Sequence, residues 1–354
     1  MIRTALLPLP LRRRALSLLL AGLVALAGVV ALTAPPAAAA AEATAGQGAS
    51  YRIALIVFRG CEDACRGFQD FLTSRKVPAA VKVYDAATNS AAIPGFVEEI
   101  KRERPDLVVT WGTTTALTTF GPYDAVDPAK HITDIPGVFM IVSQPIEAKL
   151  VPDFSSSGRN ITGTNYLVPE SVQLEAARSY LSFDRIGVIY TPTESNSVIN
   201  TKRVEEEGVK LGVEVLARPV ALGPDGKPDP TSIAPLVADL AAAGIDLLYQ
   251  GADTFLNINR QTLTAEAVTH GIPVFAAGEA PVRDGKALMG VVNQYYVVGQ
   301  LTALKAEQVL KGTAPADIPI EAPRRFSFLI NLPVAKTLGI YPPMKLIRFA
   351  EFIR

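Results

Sequence analysis

Leu107-Val108-Val109-Thr110-Trp111-Gly112-Thr113-Thr114-Thr115 decides the fold. Its first five residues are apolar or β-branched at successive positions, as in a strand covered by helices on both faces. A glycine and three threonines follow at once, a polar turn carrying the residues that start helices. Outward from this stretch the same unit recurs. Short β-branched runs occupy 53–58, 80–84, 138–142 and 161–166 around it, and 186–190, 213–216, 247–249, 273–276 and 288–292 beyond. Amphipathic helical patterns fall between them, as at 96–104, 198–211 and 233–243. Strands alternating with helices imply parallel sheets with right-handed crossovers. Ten strands are many for one open sheet. Two doubly wound α/β lobes of about five strands each, with a ligand cleft between them, are the expected architecture.

The 354 residues carry 34 basic and 34 acidic side chains, and 49 % are apolar. Such a chain can bury a sizeable core and is not disordered. The balance is uneven: Arg3, Arg12, Arg13 and Arg14 stand in a first 41 residues without one acid. The rest is mildly acidic and has no long Lys/Arg block, so it lacks the electrostatic footprint of a nucleic-acid binder. Residues 1–41 read as a cleaved signal peptide: a basic start, an apolar run over 15–33, Pro35-Pro36 as breaker, and small residues at Ala38-Ala39-Ala40-Ala41. The first cysteine, Cys61, lies far past that run, so a periplasmic protein rather than a lipoprotein is expected. Cys61 and Cys65 are spaced C-x3-C. In an oxidising compartment a disulfide is the leading reading, against free thiols or a redox pair. The spacing is not one that holds zinc.

In open parallel sheets ligands bind outside the carboxyl ends of strands. The loops at those ends are polar here. Gly112-Thr113-Thr114-Thr115 has the chemistry of a carboxylate cradle, with a close backbone, hydroxyl donors and the free N–H groups of a helix start. The alternative for any one loop is ordinary helix capping. Thr191-Pro192-Thr193-Glu194-Ser195-Asn196-Ser197, Gln250-Gly251-Ala252-Asp253-Thr254 and Ala277-Gly278-Glu279 stand at equivalent strand ends. Four such loops favour a cleft. No G-x-S-x-G elbow, phosphate loop, HExxH or EF-hand loop occurs. His131 and His270 read as structural. With no nucleophile–base pair there is no case for an enzyme, and no cofactor or metal is called for.

These loops, together with Gly67-Phe68, Ser143-Gln144-Pro145, Gly158-Arg159-Asn160-Ile161-Thr162-Gly163, Tyr295-Tyr296-Val297-Val298-Gly299 and Leu338-Gly339-Ile340-Tyr341-Pro342-Pro343, carry a resemblance over most of 51–354. The chain resembles the ABC transporter substrate-binding proteins of tryptophan/tyrosine type, with a type I periplasmic binding protein fold. The resemblance implies a receptor that closes on a small solute and delivers it to an inner-membrane permease, with a monomer as the default. It implies three crossings, placed near Thr164, Val292 and Ile318. Lobe 1 is then 51–164 plus 292–318, and lobe 2 is 165–291 plus 319–354. Carried over, Thr113 and Thr114 would take a ligand carboxylate, with Ser143 and Gln144 facing the cleft. Thr193, Glu194, Ser197, Asp253, Thr254 and Glu279 would come from lobe 2, Asp253 facing a ligand ammonium. Gln144 stands where members often carry Asp, Ala252-Asp253-Thr254 replaces Thr-Asp-Asn, and Gln294 replaces an Asp. Those departures point to a carboxylate without an amine, or a neutral solute. Trp111 and one of Tyr295 and Tyr296 are candidates to stack on the ligand or to pack at the hinge. The leading function is an importer's solute-binding protein; a periplasmic sensor signalling to a membrane receptor is the alternative.

Overall fold

The computed structural model describes residues 50–354; the expected signal peptide lies outside the described residues. The first sheet holds β1 (Tyr51–Val57), β2 (Ala79–Asp85), β3 (Leu107–Trp111), β4 (Gly137–Val142) and β5 (Ile161–Asn165). They lie in the order β2-β1-β3-β4-β5 and are parallel throughout. Between them run α1 (Asp63–Ser74), α2 (Ile93–Glu103) and α3 (Thr113–Phe120). The second sheet is built from β6 (Arg185–Tyr190), β7 (Glu214–Pro219), β8 (Leu247–Gln250), β9 (Val274–Ala276), β10 (Met289–Val292), β11 (Ser327–Asn331) and β12 (Ala350–Ile353). Its helices are α4 (Glu170–Tyr180), α5 (Ser195–Leu211), α6 (Ile233–Ala242), α7 (Thr254–Ile258), α8 (Arg260–Thr269) and α9 (Ala280–Arg283). The last two helices are α10 (Tyr295–Leu310) and α11 (Leu332–Leu338).

The alternation of side chains along β1 shows why these runs form covered strands. Ile53, Leu55 and Val57 enter one core, Ala54 and Ile56 the other, and all are buried. Every residue of β3 is buried too. Such strands need helices on both faces, which the chain supplies.

The second sheet differs from the expected five parallel strands. Its order is β12-β11-β10-β9-β8-β6-β7, and β11 pairs antiparallel with β10. The reason lies in the path of the chain. After Val292 it leaves for the first lobe, where α10 packs on α1 so closely that a Cβ on Gly299 would lie 2.0 Å from the Ala64 carbonyl oxygen. It stays bonded to the first sheet through Thr162 Oγ1 to the Ile318 carbonyl (2.7 Å) and Asn165 N to the Glu321 carbonyl (3.1 Å). After Glu321 the chain reaches β11 of the second sheet at Ser327. Because β11 re-enters at the end where β10 left, with Ser327 opposite Val292, it runs the other way.

Candidate functional site

The carboxyl ends of strands from both sheets meet around one cavity of about 40 Å3. From the first sheet come Phe58 and Arg59 after β1, Gly112 to Thr115 after β3, Ser143 after β4 and Tyr166 after β5. From the second come Asn196, Gly251 to Thr254, Asn257 and Gly278. Tyr295, at the start of α10, also lines it. Of the residues expected here, Thr113, Thr114, Ser143, Asp253 and Thr254 line the cavity; Gln144, Thr193, Glu194, Ser197 and Glu279 do not.

At Gly112 the backbone has φ +93°, a conformation that side chains disfavour, and the chain turns there directly into α3. Thr115 turns its hydroxyl back onto the carbonyls of Trp111 and Gly112 and so fixes the turn. The hydroxyls of Thr113 and Thr114 and the N–H groups of Thr113, Thr114 and Thr115 have no acceptor among the described residues. Unspent donors at the positive end of a helix dipole suit an anion. Trp111 Nε1 and Gln250 Oε1, in the same lining, are buried without partners among the described residues.

The carboxylates in the loops of the second sheet are spent on donors of neighbouring segments. Asp253 Oδ2 accepts from Thr191 N (2.8 Å) and Ser197 Oγ (2.6 Å), while Oδ1 accepts from Leu256 N (2.7 Å). Glu194 reaches across to cap α7, accepting from Thr254 N (2.7 Å) and Phe255 N (2.8 Å). Burial, with the Glu194 charge second, pushes the Asp253 carboxyl up to about 7. Glu279 accepts from Tyr295 N (2.7 Å) and Arg283 Nε (3.0 Å), and burial raises its pKa. Thr193 is exposed. Gln144 donates to Glu170 Oε1 (2.5 Å), which also accepts from Asn200 Nδ2 (2.7 Å).

Arg59 was not anticipated from the sequence. Its guanidinium lies 4.8 Å from the Trp111 ring centroid and pairs with Glu62 (2.7 Å). With the Asn257 amide oxygen turned toward it, Arg59 donates to it at 2.6 and 3.2 Å, a bond from one lobe to the other. The rule that singles out the other strand ends applies equally after β1, where Arg59 directly follows Phe58. Cys61 and Cys65 form a disulfide with Cα atoms 5.1 Å apart. Tyr295 meets Trp111 and Tyr166 edge-on, with centroids 6.4 and 5.5 Å away. Tyr296 points elsewhere, donating to Asp70 (2.9 Å). The two histidines have structural partners: His131 Nδ1 accepts from Asp127 N (2.9 Å), and His270 faces Glu266 (3.3 Å).

Known proteins are similar to this chain in sequence and in fold. A tyrosine-binding protein of Clostridioides difficile (strain R20291) is 28 % identical over 257 residues, covering 72 % of this chain and 68 % of that one. An ABC domain from Streptococcus pneumonia, solved with L-Trp, superposes with a TM-score of 0.75 at 23 % identity, over 86 % of this chain and 100 % of that one. The ligand-free, open structure of a substrate-binding protein with adhesive properties from Clostridium difficile gives 0.65 at 22 %, over 86 % and 99 %. Residues 53–352 match the family described as ABC transporter substrate binding protein, a span that takes in both sheets and every residue lining the cavity. Two α/β lobes meeting at strand-end loops are thus what the match covers, and the chain belongs to the ABC transporter substrate-binding protein family.

Proposed function

We propose that this protein is the periplasmic solute-binding component of an ABC importer. Its two lobes close on a small carboxylate-bearing solute, an amino acid or an aromatic or aliphatic acid, and the closed form delivers it to an inner-membrane permease. The observation that carries this reading is the unspent first turn of α3, with the Thr113 and Thr114 hydroxyls beside it, in a cavity walled by both lobes. Closure around such a group would exclude water and strengthen each of those bonds. The tyrosine-binding relative and the neighbour solved with L-Trp support an amino acid within this class. No helix among the described residues is long and apolar enough to cross a membrane.

A thermal-shift screen of protein refolded from denaturant tests the proposal, with amino acids, aromatic and aliphatic carboxylates, nucleosides and short peptides as the panel. A ligand at 100 times its dissociation constant adds about 2.7 kcal/mol and raises the melting temperature by a few degrees. Shifts confined to carboxylates are expected. Shifts with nucleosides alone would remove the carboxylate from the proposal. A complex with the permease, pulled down only in the presence of the active compound, tests the delivery step.

A further inference from the structure

Two buried polar groups of opposite kind line the cavity, one from each sheet. Trp111 ends β3 in the first sheet and is 3 % exposed; Gln250 ends β8 in the second and is 2 % exposed. The Trp111 indole Nε1 is a donor without an acceptor among the described residues, and Gln250 Oε1 an acceptor without a donor. The Gln250 Nε2 donates to the Leu256 carbonyl (3.3 Å), which fixes the end of the amide that carries the oxygen. A buried donor or acceptor left unmet is costly, so the pair favours a ligand that satisfies both.

A hydroxyl does so with one atom, accepting from the indole N–H and donating to the amide oxygen. An ammonium cannot accept from Trp111, and one amide oxygen would serve only one of its three N–H donors. Asp253, the one carboxylate among the lining residues described, is bonded at both oxygens, to Thr191 N, Ser197 Oγ and Leu256 N. The Arg59 guanidinium, 4.8 Å from the Trp111 ring centroid, would also repel a cation beside the indole. The space itself is small. Its 40 Å3 admit about three water-sized groups, which suits a carboxylate and one hydroxyl. Trp111 directly precedes the Gly112–Thr115 turn, which sets the hydroxyl on the carbon next to the carboxylate.

We propose that Trp111 Nε1 and Gln250 Oε1 together hold a hydroxyl of the solute whose carboxylate lies at Thr113 and Thr114, and that the solute class is a 2-hydroxy carboxylate. This rests on the solute-binding reading above and narrows it away from the amino acids that the relatives suggest. With one partner on each lobe, the hydroxyl also bonds the two lobes to each other through the solute.

Isothermal titration of the whole protein with matched trios tests it. The first trio is propionate, lactate and alanine; the second is 3-phenylpropionate, 3-phenyllactate and phenylalanine, with both enantiomers of each chiral member. In whichever trio binds, the hydroxy acid should be at least about tenfold tighter than the other two. Trp111→Phe, which keeps a ring and loses the N–H, and Gln250→Leu should each erase the gain of the hydroxy acid over the plain acid. Thermal melts establish that the variants fold; if neither does, the trios on the unaltered protein decide. A hydroxy acid no tighter than its plain acid, or a gain that survives in a folded variant, would overturn the inference while leaving the carboxylate site standing. An amino acid tighter than its hydroxy acid would also overturn it, by placing an ammonium at Gln250. Failure of all six compounds would remove the carboxylate reading along with this one.

Discussion

The loop after β3 and the loops after β6 and β8 look alike as sequences, and the structure uses them in opposite ways. All are polar, hydroxyl-bearing segments at strand ends. In Gly112 to Thr115 one threonine anchors the turn and the donors of the other two stay unspent. In Thr191 to Ser197 and Gln250 to Thr254 the carboxylates are spent, since Asp253 ties Thr191 and Ser197 and Glu194 caps the helix that Asp253 begins, although Thr191 Oγ1 and Gln250 Oε1 have no partner among the described residues. One side of the cleft is the proposed socket, with free donors, and the other a laced frame. A polar strand-end loop near a cleft can thus be ligand-binding chemistry or the brace that holds such chemistry in place.

The sharpest way to break this contrast is to cut the frame. Asp253→Ala strands three donors, two of them backbone N–H groups in a buried setting. At pH 8 it should lower the unfolding free energy by about 3 kcal/mol, read by urea denaturation. A loss below about 1 kcal/mol would move Asp253 from the frame to the socket. The same carboxyl has a signature in pH. Its folded pKa of about 7 lies above the ordinary 3.8, so between those values the folded state holds a proton that the unfolded chain releases. Its contribution to stability therefore declines as pH rises from about 4 to about 7 and is level above. Asp253→Asn should flatten that part of the stability–pH profile, and an unchanged slope would assign the decline to another group.

Glu194→Ala removes a cap supplied from another segment and should cost about 2 kcal/mol of stability. It should weaken solute binding only as far as α7 moves, and a variant of full stability with lost binding would make Glu194 a ligand group. In the socket the signs exchange. Thr113→Ala combined with Thr114→Ala should weaken carboxylate binding at least tenfold, about 1.4 kcal/mol, with the fold retained by circular dichroism. Unchanged affinity in calorimetry would remove the socket. The smallest effect is expected at Thr193. It is exposed and does not line the cavity, so Thr193→Ala should change stability by less than about 0.5 kcal/mol and leave affinity alone. A tenfold loss there would mean that this loop closes further over the solute.

How much was legible in the sequence follows the range of the interactions. Leu107–Trp111 is found at the expected residues because an apolar β-branched run ending at Gly112 encodes its strand locally. β11 and β12 went unread: Ser327–Asn331 and Ala350–Ile353 are short, partly exposed, and pair only after the chain has visited the other lobe. That Thr113 and Thr114 line the cavity was legible because a glycine turn and a helix start are local chemistry. Arg59 was not, since its role comes from Trp111 and Asn257, far along the chain.

The repeating strand–helix unit, the two-lobed architecture and the strand-end loops are all readable in the chain alone. Each follows from periodicity and turn chemistry within a few residues. Only the tertiary structure decided which polar groups remain free at those ends. A carboxylate such as that of Asp253 or Glu194 takes whichever donors the fold brings within about 3 Å, and apart from Leu256 N those donors come from loops tens of residues away.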